Sequence, residues 1–308
     1  MACLALALVP AQAQAAWAFV TNQGDNSVSV VDTATGTVVQ TLGVGAKPAG
    51  VAVSPDGLRV YVTNPEGHSV SVLERRDGRM SNVAEVAAGA GPLGIAVDPR
   101  DGRVFVADWY GNTVAVLDAA GPTIVATVTV GQSPSGLAID PASARLFVAN
   151  RESDTVSVID LATLATVATL PVGRAPFGVT VHGGRVFVAN VQSSDVSVLD
   201  AARLTQLQRL PVGEFPYAVA VTPDGSRILV TNQHSGTVSV FDAQYARLPD
   251  IAVGEYPEGI AVSADGARAY VAVWMENRLV EIDVASGTVV RTVKVGESPR
   301  AFGSFLAP

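Results

Sequence analysis

The chain has very little of what disulfide cross-linking, nucleic-acid binding or membrane spanning requires. Its one cysteine, Cys3, cannot form a disulfide within the chain. Lysine and arginine together number 20 against 28 acidic residues, and the formal net charge of -8 disfavours contact with phosphate backbones. No apolar run approaches the roughly 20 residues that a membrane helix needs. We therefore expect no nucleic-acid binding and no transmembrane segment in the mature chain.

Signatures of catalysis and of metal binding are also missing. The three histidines, His68, His182 and His234, have no metal-ligand spacing, and no Gly-x-Ser-x-Gly motif occurs. The glycine-rich turns lack the strand-to-helix context of a phosphate loop. We predict no catalytic residue, no metal site and no cofactor, and we expect a binding role rather than an enzyme.

The N-terminal segment has the composition of a secretory signal. An apolar stretch leads to Ala-x-Ala sites that end at Ala13 or Ala15, although the usual positive charge is missing. The alternative is a short hydrophobic helix that stays attached. We predict a signal peptide over residues 1–15, one domain over residues 16–308, and a periplasmic or secreted location.

What the chain has in abundance is a repeat. A Gly-x-x-Pro turn recurs seven times at intervals of 40 to 44 residues. Its prolines are Pro48, Pro92, Pro134, Pro176, Pro216, Pro257 and Pro299. A period near 42 with four short apolar segments in each unit is the spacing of a β-propeller blade.

One unit shows the four strands, and the chain ends show how the ring closes. Alternating segments at Gly50–Val53, Arg59–Thr63, Ser69–Leu73 and Asn82–Val86 follow the first turn. The N-terminal unit lacks its first strand, whereas the segment after Pro299 is a first strand with nothing following it. We predict an all-β, seven-bladed propeller with four antiparallel strands per blade. It is closed by pairing the C-terminal strand with three N-terminal strands, which removes exposed sheet edges.

The repeat also carries motifs of a known family. Tyr61-Val-Thr-Asn64, its variants such as Phe19-Val-Thr-Asn22, and Ser-Pro-Asp-Gly at residues 54–57 resemble the YVTN-repeat propellers over residues 17–308. The resemblance implies a secreted, periplasmic or surface-layer-type protein with a binding or scaffolding role. Such motifs specify a fold more than a function.

Differences between blades point to one face of the ring, which we call the mouth. The Gly-x-x-Pro turns and the loops after each second strand emerge there. Four consecutive turns bring together aromatic and charged residues, namely Phe177, Phe215, Tyr217, Tyr256, Glu258 and Arg300. An aromatic wall with carboxylates suits a cationic or polyhydroxylated ligand. The alternative is that the aromatics plug the channel and that Glu258 and Arg300 form an ordinary ion pair.

The ends of the second strands differ too. Six of them end in Asn22, Asn64, Asp108, Asn150, Asn190 and Asn232, whose side chains suit either a turn or, as in metal-dependent propeller lactonases, a ring of metal ligands. The seventh reads Val273-Trp274, and Trp109-Tyr110 follows Asp108. Trp109, Tyr110 and Trp274 are candidates for a ligand wall or a protein-binding surface.

These observations favour an extracytoplasmic binding or scaffold protein that holds a small molecule or a protein at its mouth. The alternative is a lactonase-like or other hydrolase that uses a mouth carboxylate, such as Glu258, or a metal. A structural cell-surface module with Trp109, Tyr110 and Trp274 as its protein contact is a third possibility.

Overall fold

In a computed structural model, the chain forms seven small antiparallel sheets that stand around a central channel. The structure describes residues 17–118 and 120–307. The predicted seven-bladed propeller, closed by its C-terminal strand, is confirmed. The predicted signal peptide at residues 1–15 lies outside the described residues and stays a prediction.

The strands are numbered in chain order. Blade 1 contains β1 (Trp17–Asn22), β2 (Ser27–Asp32) and β3 (Thr37–Gly43), and blade 2 contains β4 (Gly50–Val53), β5 (Arg59–Asn64), β6 (Ser69–Arg76) and β7 (Arg79–Ala87). Blade 3 contains β8 (Pro92–Val97), β9 (Val104–Asp108), β10 (Thr113–Leu117) and β11 (Ile124–Thr129). Blade 4 contains β12 (Pro134–Asp140), β13 (Arg145–Asn150), β14 (Thr155–Asp160) and β15 (Thr166–Pro171).

The second half of the ring follows the same order. Blade 5 contains β16 (Pro176–His182), β17 (Arg185–Asn190), β18 (Asp195–Asp200) and β19 (Thr205–Pro211), and blade 6 contains β20 (Pro216–Val221), β21 (Arg227–Asn232), β22 (Thr237–Asp242) and β23 (Arg247–Ala252). Blade 7 contains β24 (Pro257–Val262), β25 (Arg268–Val273), β26 (Arg278–Asp283) and β27 (Thr288–Lys294). The chain then returns as β28 (Phe302–Ser304) and β29 (Leu306–Ala307), and short 3₁₀ helices follow β13 (Arg151–Ser153) and β25 (Trp274–Glu276).

Burial is highest in the second and third strands of each blade and lowest in the fourth strands at the rim, and the sequence explains why. The second strands, such as β9 with the sequence VFVAD, are buried along all or nearly all of their length because a neighbouring blade covers each face. Their β-branched and aromatic residues suit such a position. The fourth strands form the outer wall, where Val39 and Val290 are about half exposed. Stability therefore comes from contacts between blades rather than within single blades.

The closing strand is not the continuous strand that the sequence predicts over residues 300–305. It touches β1 at an Asn22–Pro299 bridge and again where β29 pairs with Trp17 and Ala18. Between these points β28 leaves blade 1 and pairs in parallel with β4 of blade 2. The segment holds more residues than β1 can match, and Gly303 adopts a φ of 117° that suits glycine. The excursion carries Phe302 into the channel.

The channel is closed towards the mouth and open at its other end. Phe302 packs against Phe177 and Tyr217, with ring centroids 5.0 and 5.3 Å away. Beyond Phe302, a passage of about 560 Å³ is lined mainly by small and aliphatic residues of the innermost strands. Within the described residues, no helix has the length and apolar character needed to cross a membrane.

Candidate functional site

Three repeated positions of each blade build the mouth. The residues before the turn prolines are Lys47, Gly91, Ser133, Ala175, Phe215, Tyr256 and Ser298. The residues after them are Ala49, Leu93, Ser135, Phe177, Tyr217, Glu258 and Arg300. Those that follow the second strands are Gln23, Pro65, Trp109, Arg151, Val191, Gln233 and Trp274. One framework therefore presents residues that differ from blade to blade at each of three positions.

Five blades hold this framework together with a buried asparagine. In blade 4, Asn150 donates to Thr155 Oγ1 and Ser157 Oγ at 3.0 and 2.9 Å, and its Oδ1 accepts from the amide of Gly131 at 3.1 Å. The other pairings are Asn22 with Ser27 and Ser29, Asn64 with Ser69 and Ser71, Asn190 with Asp195 and Ser197, and Asn232 with Thr237 and Ser239. In all five blades the side-chain amide nitrogen bonds to side chains at the start of the third strand. The Oδ1 accepts from the turn glycine amide in blades 1 and 4, and in blades 2, 5 and 6 it has no hydrogen-bond partner among the described residues.

Blades 3 and 7 depart from this network. Asp108 accepts from the amides of Ala90 and Gly91 at 3.0 and 2.8 Å, and Ala115 stands where the other network has a serine. In blade 7 the asparagine is replaced by Val273, and the Glu276 carboxylate accepts from the Glu255 amide at 2.8 Å. Each departure is followed directly by a tryptophan, Trp109 or Trp274. In the part of the chain that the structure describes, no three His, Cys, Asp or Glu residues could together hold a metal ion.

An aromatic plug closes the centre of the mouth. The rings of Phe177 and Tyr217 lie 4.5 Å apart, and Trp109 packs on Phe177 at 6.3 Å. The tip of the Phe302 ring occupies the space where Gly136 lacks a side chain. Phe177 and Tyr217 are buried, so the structure places these two predicted site residues in the channel plug.

Beside the plug, Glu258 and Arg300 form a shielded ion pair. Arg300 Nε and Nη2 donate to the carboxylate at 2.7 and 3.3 Å, and Gln233 Nε2 donates at 3.1 Å. The Glu258 side chain is 3% exposed and that of Arg300 is 22% exposed. Burial raises the pKa of Glu258, and the charge of Arg300 partly offsets that shift. The pair holds both side chains in place and leaves an edge of the guanidinium towards the mouth.

The Tyr217 hydroxyl is the one uncompensated group of the plug. It lies beside the Glu258 carboxylate, but its contact with that group falls outside ordinary hydrogen-bond geometry. Burial raises the pKa of Tyr217 above its usual value, because the phenolate would lose its hydration. A buried hydroxyl without a partner destabilises the fold by about 1–3 kcal/mol.

A recess of about 590 Å³ lies on the side of the mouth formed by blades 1 to 3. Its floor is Leu93 and Phe177, and its aromatic wall is Trp109 and Tyr110, of which Tyr110 is 72% exposed. Its polar lining consists of Gln23, Lys47, Glu66, His68 and Arg300. The Lys47 ammonium has no ion-pair partner among the described residues. We call this cavity the mouth recess.

The guanidinium of Arg151 lies 5.7 Å from the Trp109 ring centroid and 5.9 Å from that of Phe177. This contact holds Trp109 of the wall and Phe177 of the floor by cation–π attraction and packing. The wall therefore stands ready before any ligand arrives.

Across the ring, blades 6 and 7 carry a row of rings of which His234 is exposed and Phe215, Tyr256 and Trp274 are half-buried. Phe215 stacks on His234 with centroids 3.8 Å apart, and His234 Nε2 lies 2.8 Å from Tyr256 Oη. Trp274 follows, with its centroid 6.1 Å from that of Tyr256. We call these four residues the aromatic row.

Comparison with known proteins identifies the family. A family profile described as YNCE-like beta-propeller matches residues 2–165, just over half of the chain. The chain belongs to the YNCE-like β-propeller family. The finer likeness to YVTN repeats remains a resemblance. A search of the curated proteins found no match for this YNCE-like propeller.

Solved structures share the fold of this YNCE-like propeller at low identity. A functionally unknown protein from Desulfotomaculum acetoxidans DSM 771 is 18% identical, with 93% of this chain and 99% of that one covered and a TM-score of 0.82. The periplasmic gluconolactonase of Pseudomonas aeruginosa is 21% identical, with 95% and 98% covered and a TM-score of 0.78. A putative 6-phosphogluconolactonase from Bacteroides fragilis NCTC 9343 is 15% identical, with 97% and 99% covered and a TM-score of 0.79. These likenesses show the fold alone.

The YNCE-like propeller thus divides the predicted site residues among three places. Trp109, Tyr110 and the exposed edge of Arg300 lie at the mouth recess, and Phe177 forms part of its floor. Tyr217 and Glu258 are buried in the centre, while Phe215, Tyr256 and Trp274 belong to the aromatic row.

Sequence reasoning missed several contributors, among them Lys47, Arg151, His234 and Phe302. The signal for Lys47 and Arg151 was present, because both occupy positions that vary from blade to blade at the mouth. Comparing all three repeated positions, rather than the turns with aromatics alone, would have found them.

Proposed function

We propose that this YNCE-like propeller is a binding protein, and that its mouth recess takes a polyhydroxylated small molecule such as a sugar. The observation that supports this most is the combination of an exposed aromatic wall with several polar side chains around one cavity of about 590 Å³. Cavities of a few hundred Å³ with apolar walls and few converging polar groups are the usual form of small-molecule sites.

The chemistry of the lining favours hydroxyl groups. The faces of Trp109 and Tyr110 offer flat apolar surfaces to the C–H face of a sugar ring. Lys47 and Gln23 supply donors, and Glu66 supplies an acceptor, at the edge of that wall. Because Arg151 and the ion pair of Arg300 already fix the wall and floor, little conformational entropy is lost on binding.

A hydrolase using Glu258 is the weaker alternative. A general base must reach the proton that it abstracts, either directly or through one water. The Glu258 carboxylate is instead engaged by Arg300 and Gln233 and is almost fully buried. A lactonase activity stays an alternative only because the gluconolactonase and the putative 6-phosphogluconolactonase share this fold.

We also propose that the protein works outside the cytoplasm. The signal-like composition of residues 1–15 supports this location. The periplasmic gluconolactonase shares the fold, which agrees with such a location.

A thermal-shift screen of mono- and disaccharides against the chain from residue 16 tests the binding role. A ligand present at 100 times its Kd adds about 2.7 kcal/mol to the free energy of unfolding. We expect at least one sugar to raise the melting temperature, and Trp109→Ala to weaken its binding about five- to tenfold. Trp274→Ala, the same change at the equivalent position of blade 7, is the matched control and should retain sugar binding. Failure of every sugar, or a hit that survives Trp109→Ala, would refute the proposal.

A further inference from the structure

The aromatic row lies outside the mouth recess and has its own chemistry. Its four rings, Phe215, His234, Tyr256 and Trp274, belong to blades 6 and 7, while most of the recess lining comes from blades 1 to 3. Phe215 and His234 are stacked, with 21° between their planes, whereas the rings beyond them are tilted, by 59° between His234 and Tyr256 and by 50° between Tyr256 and Trp274. Tilted rings leave parts of their faces open between them, and ring faces carry the negative end of the aromatic quadrupole.

Two free carboxylates accompany these rings. Glu214 directly precedes Phe215 and Glu255 directly precedes Tyr256, and both side chains are exposed. Neither carboxylate forms an ion pair or a hydrogen bond with any residue of the described ranges 17–118 and 120–307. This half of the mouth therefore combines uncompensated negative charge with open ring faces.

The backbone holds two of the rings in an unusual conformation. Phe215 and Tyr256 have φ angles of 56° and 59°, in the left-handed region that bulky residues rarely adopt. The turn imposes this conformation on the residue before the proline in most blades, and Ser133, Ala175 and Ser298 have it as well. Large aromatic side chains stand at this position only in blades 6 and 7 of the described structure. Their placement side by side suggests a use for the rings themselves.

Trp274 gives a second, independent indication. Its indole N–H is shielded from solvent and has no acceptor among the described residues. No hydrogen bond therefore accounts for the position of this ring. What the ring does offer is a face beside Tyr256, at 6.1 Å between centroids.

We propose that the aromatic row is a second binding site, selective for an organic ammonium group such as a trimethylammonium or a primary amine. Cations are attracted to the faces of Trp and Tyr, and they are recognised by aromatic clusters of this kind. The charges of Glu214 and Glu255 add a longer-range attraction that salt weakens. A neutral ligand of the same shape gains neither contribution.

Choline and its neutral carbon isostere, in which a tert-butyl group replaces the trimethylammonium group, test this inference directly. Both are titrated into the whole chain, and binding is followed by ligand-observed NMR and calorimetry. We expect choline to bind and the isostere to bind at least about tenfold more weakly. Equal binding of the two, or no binding of choline at millimolar concentration, would overturn the proposal.

Matched variants locate the cation. Tyr256→Leu removes a ring face and should weaken choline binding about two- to fivefold, which is the range of one exposed cation–π contact. Tyr256→Phe keeps the ring and loses only the contact with His234, so it should bind choline as the unmodified chain does. Glu214→Gln with Glu255→Gln should lower the affinity and reduce its dependence on salt. If choline affinity is unchanged in Tyr256→Leu and in the Glu double variant, the cation does not bind here.

The test separates this site from the mouth recess. Trp109→Ala should leave choline binding unchanged, and Trp274→Ala should weaken it, the reverse of the pattern expected for sugars. Thermal denaturation of each variant checks that the fold is retained, because Phe215 and Tyr256 contact their own blades.

Discussion

The five blades that keep a buried asparagine and the two that have another residue there differ in the side chains that they present at the mouth. In blades 1, 2, 4, 5 and 6 the asparagine ties the second strand to the third and packs against the turn glycine. In blades 3 and 7, Asp108 and Val273 replace it, and each is followed by a tryptophan. The repeat maintains the ring, and its departures mark where the mouth acquires chemical character.

The two departures do not carry the same chemistry. In blade 3, Trp109 joins an aromatic wall beside cationic side chains and next to the plug. In blade 7, Trp274 joins a row of rings beside uncompensated carboxylates. One framework thus presents two environments on one face: a recess where Lys47 lies beside Glu66 and an ion-paired Arg300, and a row of rings beside two unpaired carboxylates.

The largest expected effect comes from removing the Phe302 ring from the channel plug. Trp109 of blade 3 packs on Phe177 of the same plug. Phe302→Ala should lower the free energy of unfolding by about 3–5 kcal/mol, because it leaves a cavity between Phe177 and Tyr217. Urea denaturation measures the change. Val39→Ala, on the exposed outer wall, is the control and should stay within about 0.5 kcal/mol of the unmodified chain. A loss below about 1 kcal/mol for Phe302→Ala would show that the plug is not a packed core.

An intermediate effect comes from breaking the network in a blade that keeps it. Asn150→Ala removes three hydrogen bonds and leaves Ser157 Oγ buried without its donor. We expect a loss of about 1–3 kcal/mol in the free energy of unfolding, again measured in urea.

The reciprocal substitution introduces an asparagine into blade 7, which lacks the network. Val273→Asn introduces amide donors near Val280, which stands where blade 4 has Ser157 and cannot accept a hydrogen bond. It should destabilise the chain, and adding Val280→Ser should recover part of that loss. If Val273→Asn alone stabilises the protein, the blade 7 departure is not a replacement of the network.

The smallest effect has the opposite sign. Tyr217→Phe removes the unpartnered buried hydroxyl and should raise the free energy of unfolding by about 1 kcal/mol at neutral pH. A loss of stability would instead mean that the hydroxyl is bonded to Glu258.

Alkaline pH tests the same residue. Its pKa is raised in the folded chain, so above about pH 10 the phenol ionises in the unfolded chain while it stays neutral in the folded one. The stability contribution is therefore complete below pH 10 and is lost as pH rises towards the folded pKa, by up to about 1.4 kcal/mol per pH unit. Tyr217→Phe should lose stability less steeply over this range than the unmodified chain.

The fold could be predicted from the sequence because every blade carries its own copy of the repeat. Seven turn prolines fixed the blade number, and the unpaired segments at Ala18–Asn22 and after Pro299 fixed the closure, as the Asn22–Pro299 bridge confirms. The path of Phe302 could not be predicted in this way. Its excursion depends on how many residues β1 can pair with, and no following strand sets that register.

The sequence predicts which residues stand at the mouth better than it predicts where their side chains point. The adjacency of Glu258 and Arg300 follows from neighbouring turns, and the structure shows them paired. Whether a ring after a turn proline points into the channel depends on packing from several blades at once, which a single repeat does not contain. The loss of serine at Ala115 and of asparagine at Val273 was readable in the sequence as a mark of the two altered blades.

The parallel excursion of β28 also affects how the ring can come apart. A closing strand that paired only with β1 could separate from it by breaking its hydrogen bonds one after another. Here Phe302 is anchored between rings of blades 5 and 6 and reaches Gly136 of blade 4, while β28 is bonded to blade 2. The final segment therefore links several blades, and detaching it disturbs the packing of all of them together. We expect the ring to open slowly, so that its persistence is governed by an unfolding rate as much as by an equilibrium.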